Sequence, residues 1–453
     1  MGMCGAAGRR RLGIAVIVFI GLLASACGQG GDDEPGGSDS NDAAGDGAVI
    51  RVPEDAATIA EGLEQVTSGG MVLVGPGIYP EEVTIDKPDV TLRGTDRNAV
   101  VIDGEGTRSF GVFASAHGVR IENLTVHSTL FYGVLVTGMH DENGPLAHGG
   151  PGYTELDPAE FPPVERFSID HVTAYNNGLY GIYAFNARHG SITDSYTSGS
   201  ADSGFYVGQC EQCDILVTSN VAERNAIGFE NANASDSLMI AGNRFSGNRI
   251  GMTLISSYQE AFTPQRENVV VGNLISENTS DDSPAHALGG FGVGLAVNGG
   301  QRNLVSANRI EGNPHSGISL SNAEDIPAVE NRFIGNVLGG NGVDVVDQSA
   351  ARAPSAANCF EENTATTASP SVLLDMSCPA DDSADEPASA DDSPRVEAPP
   401  GISFLKVPVP PDQPSRIDVE TVPAPLPDSV DMPSEAEFGV PDTTLLAERV
   451  GTA

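Results

Sequence analysis

The chain has no tryptophan and almost no lysine: Lys87 and Lys406 are the two lysines among 23 basic residues, and the rest are arginines. Without Trp, any flat aromatic contact to a ligand has to come from 9 Tyr and 16 Phe. Positive charge is scarce overall. The 62 acidic residues leave a formal net charge of −39. A surface of that sign repels polyanions, so nucleic acid is excluded as a partner. An anionic polymer has to be met by a local arginine cluster or through bound cations. Helical patterning is missing too. From Val90 to Asn341 no apolar stripe recurs every 3.6 residues, and Gly, Asn and β-branched residues dominate. A long apolar run occurs near the N-terminus, Leu12 to Leu23, and it is too short to span a bilayer comfortably.

That run follows Arg9, Arg10 and Arg11 and leads into Leu23-Ala24-Ser25-Ala26-Cys27-Gly28. A basic segment, an apolar segment and small residues make an export signal. The last part resembles a bacterial lipobox, with Ala24 standing where such motifs favour Leu. The resemblance implies a signal over residues 1–26 and lipidation of Cys27. The mature protein would then be extracytoplasmic and held on the cell membrane by that lipid alone. Residues 27–48, rich in Gly, Asp and Ser, read as a flexible, self-repelling tether. Of six cysteines, Cys4 leaves with the signal and Cys27 is the anchor. The remaining four sit in an oxidising compartment, and sequence order favours Cys210–Cys213 and Cys359–Cys378 as disulfides.

Further on the chain repeats itself. Gly followed by an apolar residue recurs at Gly111, Gly133, Gly181, Gly204, Gly228, Gly251, Gly294, Gly317 and Gly342. Most gaps are about 23 residues, and two are roughly double that, which is one period plus an insertion. An apolar-x-x-Asn follows in the second half of the period at Asn220, Asn243, Asn273 and Asn308, and further Asn residues close the period at 177, 225, 248, 278 and 313. A period near 23 with short alternating strands predicts a coil of three strands per turn. Its turns must stack, because no turn buries its inner face alone. Asn at equivalent corners tolerates a left-handed backbone and can form a ladder. Pro53 to Val66 reads as a short helix capping the first coil, with Ile59, Leu63 and Val66 on one face.

The repeat, together with the opening Ile50 to Ile85, resembles the pectate-lyase-like superfamily of right-handed parallel β-helix proteins. It implies an all-β fold of about ten coils over residues 49–379 with a short N-terminal capping helix. Residues 380–453 hold 13 prolines and 16 acidic against 4 basic residues. They read as a largely disordered acidic tail, in which Ile402 to Val409 is the piece apolar enough to dock.

Aligning turns on their glycines places Val134, Ile182, Phe205, Phe229, Met252, Leu295 and Ile318 inward. The next residues then point outward: Leu135, Tyr183, Tyr206, Glu230, Thr253, Ala296 and Ser319. Insertions at Met139–Val164 and Ser256–Gln265 leave the coil at one corner and predict a groove between them. A third, Thr279 to Gly290 with His286, is placed at a different corner. In this groove Tyr183 and Tyr206 either offer sugar-stacking faces or pack under the first insertion. Asn186, Gln209 and Asn231 are the expected hydrogen-bonding residues. Asp202 and Glu230 are the expected acid/base pair or Ca²⁺ ligands, and Arg249 the partner of a substrate carboxylate or a base. His140, Asp141, Glu142 and His148 lack tight metal-ligand spacing. Cys210-x-x-Cys213 lacks the strand–helix context of a redox motif. Tyr180-Gly181-Ile182-Tyr183-Ala184-Phe185-Asn186 matches the position of the alginate C5-epimerase motif but lacks its acidic and His residues, which argues against that mechanism here.

The functional expectation is an envelope protein that binds a polysaccharide in the groove and either cleaves or modifies it, as a lyase or hydrolase, or only holds it. A non-catalytic adhesion module is the rival reading. Copper delivery, implied by resemblance to copper-maturation β-helix proteins, is the third.

Overall fold

The computed structural model describes residues 48–146, 154–378 and 396–451. The expected signal, Cys27 and His148 lie outside the described residues. Three parallel sheets wind round one core. A 12-stranded sheet begins at Val49–Val52 and ends at Cys359–Glu361. An 11-stranded sheet runs between Val83–Ile85 and Ala368–Ser369, and a 10-stranded sheet between Gly77–Tyr79 and Val337–Gly339. The result is a right-handed parallel β-helix of about 13 turns. That exceeds the ten expected, because end turns such as those through Val83–Ile85 and Ala368–Ser369 carry no Gly–apolar pair to mark them.

The interior column holds as expected. Val112, Val134, Ile182, Phe205, Phe229, Met252, Leu295 and Ile318 pair in register from turn to turn, all fully buried. Asparagine ladders stand beside this column. Asn220 Nδ2 donates to Asn243 Oδ1 at 3.0 Å, Asn243 to Asn273 at 2.9 Å, Asn273 to Asn308 at 2.9 Å, and Asn308 to Asn336 at 3.0 Å. A second ladder runs through Asn225, Asn248, Asn278, Asn313 and Asn341. The left-handed residue at each rung is the one before the Asn, rather than the Asn itself: Ser219, Gly242, Gly272, Ala307 and Gly335 in the first ladder. That residue turns the corner, and the Asn then points inward to satisfy backbone groups the corner leaves unpaired.

The capping helix is Ile59–Gln65, shorter than the expected span. Thr58 accepts from Glu61 N, and the Glu81 carboxylate accepts from Ile59 N and Ala60 N, so the first turn starts where its amides find partners. Ile59, Leu63 and Val66 are buried on the coil, as expected. At the other end the short 3₁₀ turn Ser371–Asp375 buries Leu373, and a Cys359–Cys378 disulfide ties it down.

Residues 396–451 depart from the expected disordered tail. They carry little regular structure, yet they are laid along the coil. Proline lacks an N–H, so a Pro-rich segment cannot extend a sheet, but its carbonyls remain acceptors. The coil's arginines supply the donors. Arg249 donates to Pro399 O at 2.6 Å, Arg97 to Pro414 O at 3.1 Å, Arg93 to Thr421 O at 2.7 Å, Arg309 to Pro441 O at 2.7 Å and Arg244 to Leu445 O at 3.1 Å. In return, the guanidinium of Arg449 enters the coil and donates to Asp194 O, Ser195 O and Ser219 O. Within Ile402–Val409, Val407 is buried and its carbonyl accepts from Asn176 Nδ2, whereas Val409 stays exposed.

Candidate functional site

The outward column of the 11-stranded sheet has the expected register: Leu135, Tyr183, Tyr206, Glu230, Thr253, Ala296, Ser319. Its first half is not open to solvent. Met139 and Leu156 of the first insertion, with Phe161 and the second insertion's Phe262, fold over it and make a second apolar core outside the coil. Tyr183 is 3% exposed and Tyr206 1%. Their rings meet edge to face at 4.7 Å, and Tyr180 stacks on Tyr183 at 4.3 Å. The sugar-platform role is therefore corrected: these tyrosines pack under the insertions. Tyr206 Oη also donates to Glu260 Oε2 at 3.1 Å, bringing a third carboxylate towards the sheet.

Asp202 and Glu230 do come together. Ser203 Oγ lies 3.1 Å from Asp202 Oδ1 and in close contact with Glu230 Oε2. A hydroxyl has one proton, so it cannot donate to both carboxylates at once. The arrangement that satisfies all three has a protonated Glu230 donating to Ser203 and Ser203 donating to Asp202. The electrostatics agree. Burial, and then the charge of Asp202, push the Glu230 carboxyl well above the usual range. Burial also works against ionisation of Asp202, but the hydrogen bond and charge of His286, together with hydrogen bonds from Glu230 and Ser203, outweigh it and hold Asp202 below its ordinary value. His286 Nε2 stands 3.5 Å from Asp202 Oδ1, with side-chain exposures of 15% and 17%, so this end of the group opens to solvent. Burial lowers the His286 pKa, and Asp202 more than compensates. The third insertion does leave from a different corner, as expected, before the strand Val293–Asn298 rather than after its sheet's strands, yet its His286 reaches this group. One turn beyond Glu230, Thr253 is 5% exposed and its Oγ1 has no hydrogen-bond partner among the described residues.

Arg249 does not join this group. Its guanidinium is taken by Ser283 Oγ at 3.2 Å and Pro399 O, and it sits over the Phe291 ring. Asn231 points into the coil, fully buried, with Nδ2 donating to Val207 O. Counting alternation from Phe229 would have revealed this, since residues two apart share a face. Asn186 and Gln209 are at the corner where the groove was expected. With Pro158, Pro163, Arg188 and Phe262 they line a pocket of about 260 Å³ whose wall includes Cys210. The Cys210–Cys213 disulfide is present and buried, a structural clasp at that corner. His140 packs edge-on against Phe113, and among the described residues it joins no group with metal-ligand spacing.

Asp170, His171 and Asp194 lie close enough to share a metal ion. Their donors are already engaged. His171 Nδ1 is 2.8 Å from Asp170 Oδ1, Arg416 pairs with Asp170 Oδ2, and Arg449 stands 3.8 Å from Asp194 Oδ1. Glu260 and His286 are the site residues that the sequence reading missed. Both lie in insertions, where the repeat gives no register, and the weak signal was a titratable residue in each insertion at a corner of the coil.

Comparison with known proteins concerns the coil. No curated protein sequence matches. Among solved structures, the A-module of a mannuronan C-5 epimerase from Azotobacter vinelandii aligns at 15% identity and a TM-score of 0.41, over 65% of this chain and 87% of its own. ORF18 of Geobacillus virus E2 aligns at 14% identity and 0.48, over 70% and 62%. Pectate lyase Pel9A aligns at 14% and 0.40, over 72% and 80%. A family described as periplasmic copper-binding protein (NosD) matches residues 65–283 and again 174–369, the overlap being what a repeated coil produces. That match spans well over half of the 453 residues, and the chain belongs to the NosD family.

Proposed function

We propose that this protein is an extracytoplasmic β-helix that binds a glycan at the outer edge of the 11-stranded sheet and alters it by acid/base chemistry at Asp202 and Glu230. One observation carries the reading: two carboxylates on successive turns share a serine hydroxyl, and their surroundings shift them in opposite directions, Glu230 up through burial and Asp202 down through its hydrogen bonds and His286. Pairs of that kind divide the roles of proton donor and charge stabiliser. Glu230 is suited to give a proton to a departing oxygen. Asp202, kept ionised by His286, is suited to act as base or to face developing positive charge. The pocket at Asn186 and Gln209 offers hydrogen-bonding groups for a neighbouring sugar unit. Ca²⁺ held by Asp202 and Glu230 is the alternative use of the same carboxylates.

The two disulfides and the periplasmic family set the chain outside the cytoplasm. Anchoring through Cys27 is part of the proposal. The protein should partition with membranes, and Cys27→Ala should release it; equal release of both forms removes the anchor.

The family's description raises copper as a second reading. The described residues fit it poorly. The four described cysteines are joined as disulfides, and the one group with metal-ligand spacing already has two guanidiniums beside its carboxylates. Copper favours thiolate, thioether and imidazole donors. The chemistry proposed here therefore runs on the carboxylates.

The test is a panel of neutral and acidic polysaccharides, with Ca²⁺ or with chelator, read by new reducing ends and by ultraviolet absorbance of unsaturated products. Activity that disappears in Glu230→Gln supports the reading. Binding without product in every arm leaves a non-catalytic adhesion module. Absence of any binding, with copper retained through dialysis, replaces it with metal delivery.

A further inference from the structure

The loop that carries His286 leaves the coil at Ser280, whose N–H donates to Asn248 O, and rejoins it at Gly292, whose N–H donates to Arg249 O. Between these points Asp282 pairs with Arg224 at 3.0 Å. The C-terminal segment supplies the next hold. Ile402 N donates to Ser283 O at 3.0 Å. Arg249 clamps both sides, with Nε on Ser283 Oγ and Nη2 on Pro399 O. Gly401 presses on Ala285 so closely that a Cβ placed there would stand 2.3 Å from Ala285 N. Ala285 immediately precedes His286. On the far side the loop turns back on itself: Ala287 to Gly290 are exposed, Leu288 at 90%, and their backbone amides bond within the turn, Gly289 N to His286 O and Leu288 N to His286 Nδ1.

We infer that Pro399–Ile402 position His286 against Asp202, so that the site is complete only in a chain whose C-terminal segment has docked. The inference rests on the proposed site for its functional meaning, but the positioning can be measured without a substrate. The chain reaches this point after the coil ends at Cys378, so the last part of the sequence closes a site in the middle of the molecule. His286 is then a positioning residue that keeps Asp202 ionised, and the segment acts on chemistry through it. Folding of the coil and completion of the site become separable events.

The experiment follows the ring resonances of the eight histidines by nuclear magnetic resonance across pH in the full chain, with His286 assigned from His286→Gln. In the wild type His286 should titrate above an ordinary histidine, and Asp202→Asn should bring it down. Gly401→Ala should bring it down by a comparable amount, because the added methyl displaces the segment from Ala285. Arg309→Ala, which loosens the same segment at distant Pro441, should leave His286 unchanged. A Gly401→Ala protein that titrates like the wild type overturns the inference, as does an equal shift in Arg309→Ala. A chain ending at Arg395 gives a second reading if its circular dichroism retains the coil; if it does not fold, Gly401→Ala decides. Loss of all glycan binding with the His286 shift intact would remove the proposed function and leave this positioning standing.

Discussion

Asp202 and Glu230 are bridged by one hydroxyl, that of Ser203, which lies 3.1 Å from Asp202 Oδ1 and touches Glu230 Oε2. The bridge is satisfied while Glu230 holds its proton and broken once both carboxyls ionise. A group whose folded pKa is raised contributes stability at low pH that is lost as pH rises through that pKa. Glu230→Gln keeps a donor towards Ser203 and cannot ionise. The variant should match the wild type at pH 5 and exceed it in stability at pH 8, because only the wild type gives up that contribution as pH rises. Denaturant titrations at both pH values check this. An equal difference at the two would mean Glu230 titrates as an ordinary carboxylate.

His286 gives a second handle on the same pair. Its raised pKa means that the ion pair with Asp202 is fully formed below an unfolded histidine's value of about 6.5 and is lost as pH rises through the folded value. Asp202, whose folded pKa is depressed, loses its share only as pH falls through that lowered value. The stability gap between wild type and His286→Gln should therefore be larger at pH 6 than at pH 9. The pair is partly exposed, so a gap of roughly 1 kcal/mol is expected. Thermal melts of both proteins across that range measure it.

The residues of this pair were legible because the coil repeats. Once Gly204 and Gly228 fix the register, Asp202 and Glu230 must lie on neighbouring turns, and the interior column from Val134 to Ile318 follows from the same alignment. What failed lies outside the repeat. Tyr183 and Tyr206 point outward as expected, but whether an outward face is open depends on how an insertion folds back, and an insertion has no periodicity to read. The C-terminal segment failed for a different reason. Its acidic, proline-rich composition predicts that it cannot form a core, which is true. It is held instead by main-chain carbonyls, which composition does not count, and by a few apolar side chains, Met432 and Phe438 among them, that pack on the coil. The matching signal was present in the coil as a strong preference for arginine over lysine.

The asparagine ladder should be costly to interrupt. Asn308 accepts from Asn273 N and Nδ2 and donates to Val270 O, Ser306 O and Asn336 Oδ1, with no solvent to substitute. Asn308→Ala strands donors on one neighbour and acceptors on others, at about 1–3 kcal/mol for each buried unsatisfied group. The expected outcome is a drop of several degrees in melting temperature, with hydrogen exchange accelerating first at Asn273 and its neighbours. A change no larger than that of an exposed-surface substitution would show that water enters the corner and replaces the rung.

The docking of residues 396–451 should be nearly indifferent to salt. Exposed ion pairs weaken as ionic strength rises, because charges separated through water are screened. A few such pairs exist, Arg51 with Glu420 and Arg166 with Asp428 among them. The rest of the hold includes guanidinium groups donating to neutral carbonyls, at Pro399, Pro414, Thr421, Pro441 and Leu445, and the apolar contacts of Met432 and Phe438 with Met239, Ala241 and Val271, neither of which salt screens. A hydrogen bond from a charged donor is worth about 1.5–3 kcal/mol, and those formed by a half-buried guanidinium are little screened. Limited proteolysis of the segment should therefore proceed at similar rates in about 0.05 M and 1 M salt. Arg309→Ala and Arg244→Ala should each open the stretch from Pro441 to Leu445 to cleavage, and the double variant should do so more than either. Arg309→Lys should rescue little, because an ammonium cannot reproduce the planar fork that reaches Pro441 O and Glu311 together. Cleavage that accelerates many-fold in high salt would mean that the acidic side chains, not the carbonyls, carry the docking.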